Sequence, residues 1–65
     1  MTVYELLVIC DSEIIASVYD ESSDWIYLRP DSVGGLLASK HWILEKEVVG
    51  LTLSKGILII SVEDI

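Results

Sequence analysis

The sequence predicts a mainly β fold, a small and strongly bent five-stranded barrel, with an α+β fold carrying a helix over 36–49 as the alternative. Three observations lead there. Glu13 to Arg29, EIIASVYDESSDWIYLR, reads as two strands around a short acidic turn. Ile14, Ala16 and Val18 alternate with Ile15, Ser17 and Tyr19, and Ile26 and Leu28 alternate with Trp25, Tyr27 and Arg29, the period-two pattern of a hairpin. Other stretches are apolar on both strand faces, as in strands covered on two sides. Asp, Ser and Gly clusters punctuate the chain between them.

The elements follow in order. Val3 to Cys10 reads as the first strand, with Val3, Leu7 and Ile9 on one face and Tyr4, Leu6, Val8 and Cys10 on the other. Asp11-Ser12 turns into the central hairpin, whose own turn, Asp20 to Asp24, holds three acids. Pro30 ends the third strand or marks a sheet edge, since it has no N–H for a ladder. Gly34-Gly35 suits a bulge of the kind that bends a small barrel. Leu36 to Val49 fits two readings. Leu37, His41, Leu44 and Val48 lie at helical spacing before Gly50, whereas Trp42, Ile43, Val48 and Val49 favour strand, and strand–loop–strand is the preferred assignment. Val48 to Leu53 and Ile57 to Val62 close the fold as strands joined through Ser54-Lys55-Gly56.

Size and composition argue for self-association. A 65-residue chain forms one domain, residues 1–65, and buries only about 60% of the surface its unfolded form exposes. One cysteine and one histidine cannot supply an intrachain disulfide or a zinc site. With 52% of residues hydrophobic, neighbouring copies are the remaining way to cover the apolar surface. Eleven acids against four basic residues give a net charge of −7, which opposes general attraction to nucleic acid or anionic lipid. No apolar run approaches the roughly 20 residues of a membrane helix. The start, MTVYELLVIC, lacks the basic region and cleavage site of a signal peptide, and a single thiol fits a reducing compartment, so a cytoplasmic location is expected.

The pattern of strands resembles the Sm-like (SH3-like) barrels. Ile14-Ile15-Ala16-Ser17-Val18-Tyr19-Asp20, a turn to Asp24, and Trp25-Ile26-Tyr27-Leu28 look like that family's first motif, with Ala16 where Gly is usual and Asp24 where a base-contacting Asn is usual. Lys55-Gly56-Ile57-Leu58-Ile59-Ile60 is similar to the second motif. Lys40-His41-Trp42-Ile43 resembles the Lys-His-x-Ile motif of the Hfq type, in a second register that excludes the first. The hairpin, the Pro after the third strand and the LTLSKGILIISVE end look most like short Sm-like proteins encoded by phages. The resemblance implies a non-catalytic ring of about five to seven copies, joined through edge strands, that binds single-stranded RNA or other nucleic acid. It places Lys55 and Gly56 at the pore, with Lys40, His41 and Asp24 as further nucleic-acid-binding candidates. A structural or protein-interaction oligomer with no nucleic-acid ligand is the alternative, and the charge favours it.

Each chemical signal also has a plainer reading. Lys55-Gly56 fits an ordinary turn, Lys40-His41 an exposed loop, and Tyr19, Trp25 and Tyr27 cross-strand packing. Cys10 ends an apolar strand, unlike an activated thiol, so no enzymatic activity is expected. Asp20, Glu21 and Asp24 lack the spacing and central Gly of a calcium loop, and no metal or other cofactor is expected.

Overall fold

The computed structural model describes residues 1–63 and is mainly β, with two short α-helices and a 3₁₀ turn laid over one face of a four-stranded mixed sheet. The elements are α1 (Val3–Ile9), β1 (Ile15–Asp20), β2 (Trp25–Ser32), α2 (Val33–Ala38), the 3₁₀ turn Trp42–Glu45, β3 (Val48–Ser54) and β4 (Ile57–Val62). The sheet order is β2-β1-β4-β3. It is open at both ends, an open sheet where the sequence led us to expect a five-stranded barrel.

The largest departure is Val3 to Cys10, expected as a strand and folded as α1. A segment apolar on both strand faces also satisfies helical spacing, and local chemistry decides between them. Thr2 and Glu5 form a reciprocal capping box: the Glu5 N–H donates to Thr2 Oγ1 at 3.1 Å and the Thr2 N–H to Glu5 Oε1 at 2.8 Å. That satisfies two donors which a helix start leaves orphaned. The Thr2 backbone N–H above all, and then the Thr2 side chain, hold the Glu5 carboxyl below its usual pKa. Val3, Leu6 and Leu7 then fall on one stripe and are buried, while Tyr4, Val8 and Ile9 face outward.

The central hairpin forms as expected, with Asp20 paired to Trp25 and Tyr19 to Ile26. Between Tyr19↔Ile26 and Val18↔Leu28 the register slips, leaving Tyr27 without a counterpart. Tyr27 and Leu28 therefore both serve the helix-covered side, where Leu28 is buried and Tyr27 packs against the core. Instead of pairing across the hairpin, Tyr27 meets Trp42 edge to face, with ring centroids 5.3 Å apart. Across the slip, the Ser17 hydroxyl donates to the Leu28 carbonyl at 2.8 Å. Pro30 lies in β2, which is an edge strand.

Gly34 and Gly35, expected in a bulge, belong to α2, capped by Ser32, whose Oγ accepts from the Gly35 N–H at 3.1 Å. The Val33 and Gly34 N–H groups donate to Ile14 and Ser12 carbonyls, docking this helix start on the loop before β1. The 36–49 segment is neither strand–loop–strand nor a single helix: it continues α2 to Ala38, forms the 3₁₀ turn and enters β3 only at Val48. Lys40, at φ 51°, ends α2, and His41 starts the 3₁₀ turn by accepting the Ile43 N–H on Nδ1 at 3.1 Å. The turn buries Ile43 and Leu44.

The core gathers Val3, Leu6 and Leu7 of α1, Val33 and Leu36 of α2, and Ile43 and Leu44. These pack on Ala16, Val18, Leu28, Ile60 and Val62 of the sheet. Asp20 is buried at the end of β1, where its Oδ1 accepts the Ser22 N–H at 2.9 Å and the Ser22 hydroxyl at 2.7 Å. The Ser22 hydroxyl above all holds the Asp20 carboxyl below its ordinary value of 3.8, against the opposing effect of burial.

Two outcomes check this account. Thr2→Ala should lower stability by about 1 kcal/mol in urea unfolding, through loss of the α1 cap. Asp20→Asn should lower the melting temperature at neutral pH. A depressed native pKa contributes stability above the unfolded value and loses it as pH falls through the native one. The gap between variant and wild type should therefore close in acid, below pH 3.8.

Candidate functional site

The five residues that the sequence singled out are spread over three turns. Asp24, at φ 55°, closes the β1–β2 connection; Lys40, at φ 51°, follows α2; Lys55 and Gly56, at φ 52° and 79°, form the two-residue β3–β4 turn. His41 caps the 3₁₀ turn. These four positive-φ residues are the only ones among the described residues, and each sits where the chain reverses or a helix stops. Positive φ at both central positions is the hairpin geometry whose twist matches the flanking strands. A left-handed residue just beyond a helix is likewise a common stop. Turn geometry accounts for these positions without a ligand.

They do not converge. Asp20 pairs with both Trp25 and Val62, so Asp24 lies at the end of the sheet where β4 finishes. Ser54 and Ile15 both pair with Ile57, so Lys55 and Gly56 lie at the other end, five strand steps or roughly 17 Å away. Lys40 and His41 belong to the helical layer, beside a groove of about 600 Å³ lined by Tyr4, Val8, Leu37 and Leu44. Of the chain's four basic residues, Lys46 lies over the Trp42 ring at 5.8 Å, and Arg29 is exposed on edge strand β2. No two of Arg29, Lys40 and Lys55 share a turn or a strand.

The surface that sequence reasoning missed is the outer face of the sheet. Residues alternating with the core positions Ala16, Val18, Leu58 and Ile60 point the other way, and no helix covers them. Ser17, Tyr19, Ile26, Thr52, Ile57 and Ile59, with Pro30 and Asp24 at the rim, enclose a shallow groove of about 560 Å³. Ile26 is 55% exposed and Ile15, on the same face, 39%. The signal was present in the two-sided apolar strands, since β3 and β4 contain no charged residue.

Other chemistry finds no assembly here. Among the described residues no group of three or more His, Cys, Asp or Glu side chains is placed to hold a metal. Cys10 is a half-buried cap of α1 whose N–H donates to the Leu7 carbonyl at 3.2 Å. No described helix is long and apolar enough to cross a membrane. Comparison of the chain with protein-family models, curated proteins and solved structures finds no match.

If the candidates act as turn residues, glycine should improve the lysine positions. Lys40→Gly should stabilise by up to about 1 kcal/mol by removing the left-handed penalty, whereas Gly56→Ala should cost about 1–2 kcal/mol. Thermal unfolding of the two variants checks both signs.

Proposed function

We propose that this protein is a non-catalytic, self-associating interaction module whose sheet surface is its working surface. The observation that supports this reading most is the outer sheet face, where Ile15 and Ile26 are exposed and Tyr19, Ile57 and Ile59 half-buried, while the described helices lie on the opposite side. Among the described residues no second layer covers it. Contiguous apolar surface of this kind marks interaction sites. Acids crowd the turns and the helical side, while Val48 to Val62 carries a single charge, Lys55.

The nucleic-acid role implied by the Sm-like resemblance draws less support. Phosphate recognition relies on converging cations, and here Lys55, Lys40 and Arg29 occupy separate elements of a chain with a net charge of −7. The Asp24 carboxylate also stands at the rim of the outer groove, where it would repel a phosphate backbone. A ring of Sm-like copies would have to be built by pairing the open sheet edges, and copy number is then an experimental quantity.

Light scattering coupled to size exclusion should give a mass above the 7.2 kDa of one copy, rising with concentration if exchange is fast. A strictly monomeric protein over a wide concentration range would remove the reading. Labelled oligo-uridine should stay unbound at low salt, and salt-sensitive binding would restore the nucleic-acid role.

A further inference from the structure

We infer that a second copy of this chain docks on the outer edge of β3, antiparallel, about a two-fold axis at Thr52, joining two four-stranded sheets into one of eight strands. The inference rests on the self-association reading and specifies its geometry.

The two sheet edges are treated differently. Edge strand β2 carries Arg29, Pro30 and Asp31 and two register slips, the devices that keep an edge from pairing with another chain. Edge strand β3, VVGLTLS, carries no charge and no proline, and its one register slip, between Val48 and Gly50, falls before the stretch from Leu51 to Ser54. Its exposed side chains include Leu51 and Leu53, at 52% and 73% exposure. Leucines so placed on an open edge are the features that such guarding normally removes.

Backbone direction gives the register. The two-residue turn at Lys55-Gly56 makes Ser54 and Ile57 a hydrogen-bonded pair. Ser54 and Thr52 therefore turn their N–H and C=O groups toward β4, and Leu53 and Leu51 turn theirs to the open side. Further back, the edge is already occupied: the Val48 N–H donates to the Met1 carbonyl at 2.8 Å, and Thr2 bridges Glu47. The available length is centred on Thr52. Antiparallel pairing about that residue sets Leu51 against Leu53 of the second copy and the reverse, so four outward main-chain pairs close and four leucines meet on one side of the seam.

Charge selects a second copy as the occupant. Two chains of −7 repel wherever carboxylates face each other. The β3–β4 hairpin is where they do not, with no acid from Val48 to Val62. The strand also complements itself, since the same two leucines supply both halves of the contact, as a two-fold interface requires. Thr52 lines the outer-face groove, so the joined sheets would bring the two grooves side by side.

The test uses the full chain with Cys10→Ser. Thr52→Cys should form a disulfide-linked dimer under mild oxidation, because opposed residues of a non-hydrogen-bonded antiparallel pair lie about 4.5 Å apart at Cα. Ser54→Cys, off the axis, should not. Leu53→Lys, on a highly exposed side chain, should keep the native circular dichroism and reduce a mass of twice 7.2 kDa to one copy. A wild-type protein that is monomeric throughout removes both this inference and the self-association it rests on. An oligomer that Leu53→Lys leaves intact, one that cross-links at 54 instead of 52, or one of about five to seven copies overturns the edge pairing alone and leaves self-association standing.

Discussion

The parallel pairing of β1 with β4 is the interaction on which the rest of this molecule depends. Each hairpin, β1–β2 and β3–β4, is local in sequence, and a two-stranded ribbon alone is marginal in water. Six consecutive pairs, from Ile15↔Ile57 to Asp20↔Val62, join them without a register slip. This zipper places Val18 beside Ile60 and Ala16 beside Leu58, making one apolar surface on which α1, α2 and the 3₁₀ turn settle. Because β1 and β4 point the same way, the chain must cross the sheet between β2 and β3, and the helical segments at 33–45 lie on that crossing.

A short chain can cover only one side of such a sheet. The connections of this one are committed to the inner face, where Val3, Leu7, Ile43 and Ile60 are fully buried. The consequence is an outer face and a β3 edge that keep an apolar character usually reserved for interiors. Acids occur mostly in the turns and helical segments, as at Glu5, Asp11, Glu21 and Glu45, with Asp20 and Asp31 in β1 and β2. None of them falls in β3 or β4.

Asp20 shows how a residue type misleads when its surroundings are unknown. In the sequence it is one of three acids in a turn that reads as solvated. In the fold it is buried, its carboxylate closing the turn through Ser22, with the Tyr27 hydroxyl 3.5 Å from its other oxygen. His41 likewise looks like a base-stacking candidate and acts as a cap. Polar groups near a strand or helix end are recruited first by unsatisfied backbone donors.

The sequence by itself determined the two hairpins and the excess of apolar surface, and narrowed Pro30 to a strand end or a sheet edge, because each is written in neighbouring residues: alternation, turn chemistry and composition. It held the α1 cap too, in Thr2 and Glu5, a signal that the strand reading of Val3 to Cys10 did not use. Tertiary structure alone decided that Ile15 pairs with Ile57, that Tyr27 slips out of register to reach Trp42, and that Lys40 and Lys55 stand apart. Those outcomes depend on contacts between residues far apart in the chain, where side-chain pattern is silent about which strand lies beside which. The bare outer face belongs to the same class: a strand that is apolar on both sides does not say which side will be covered.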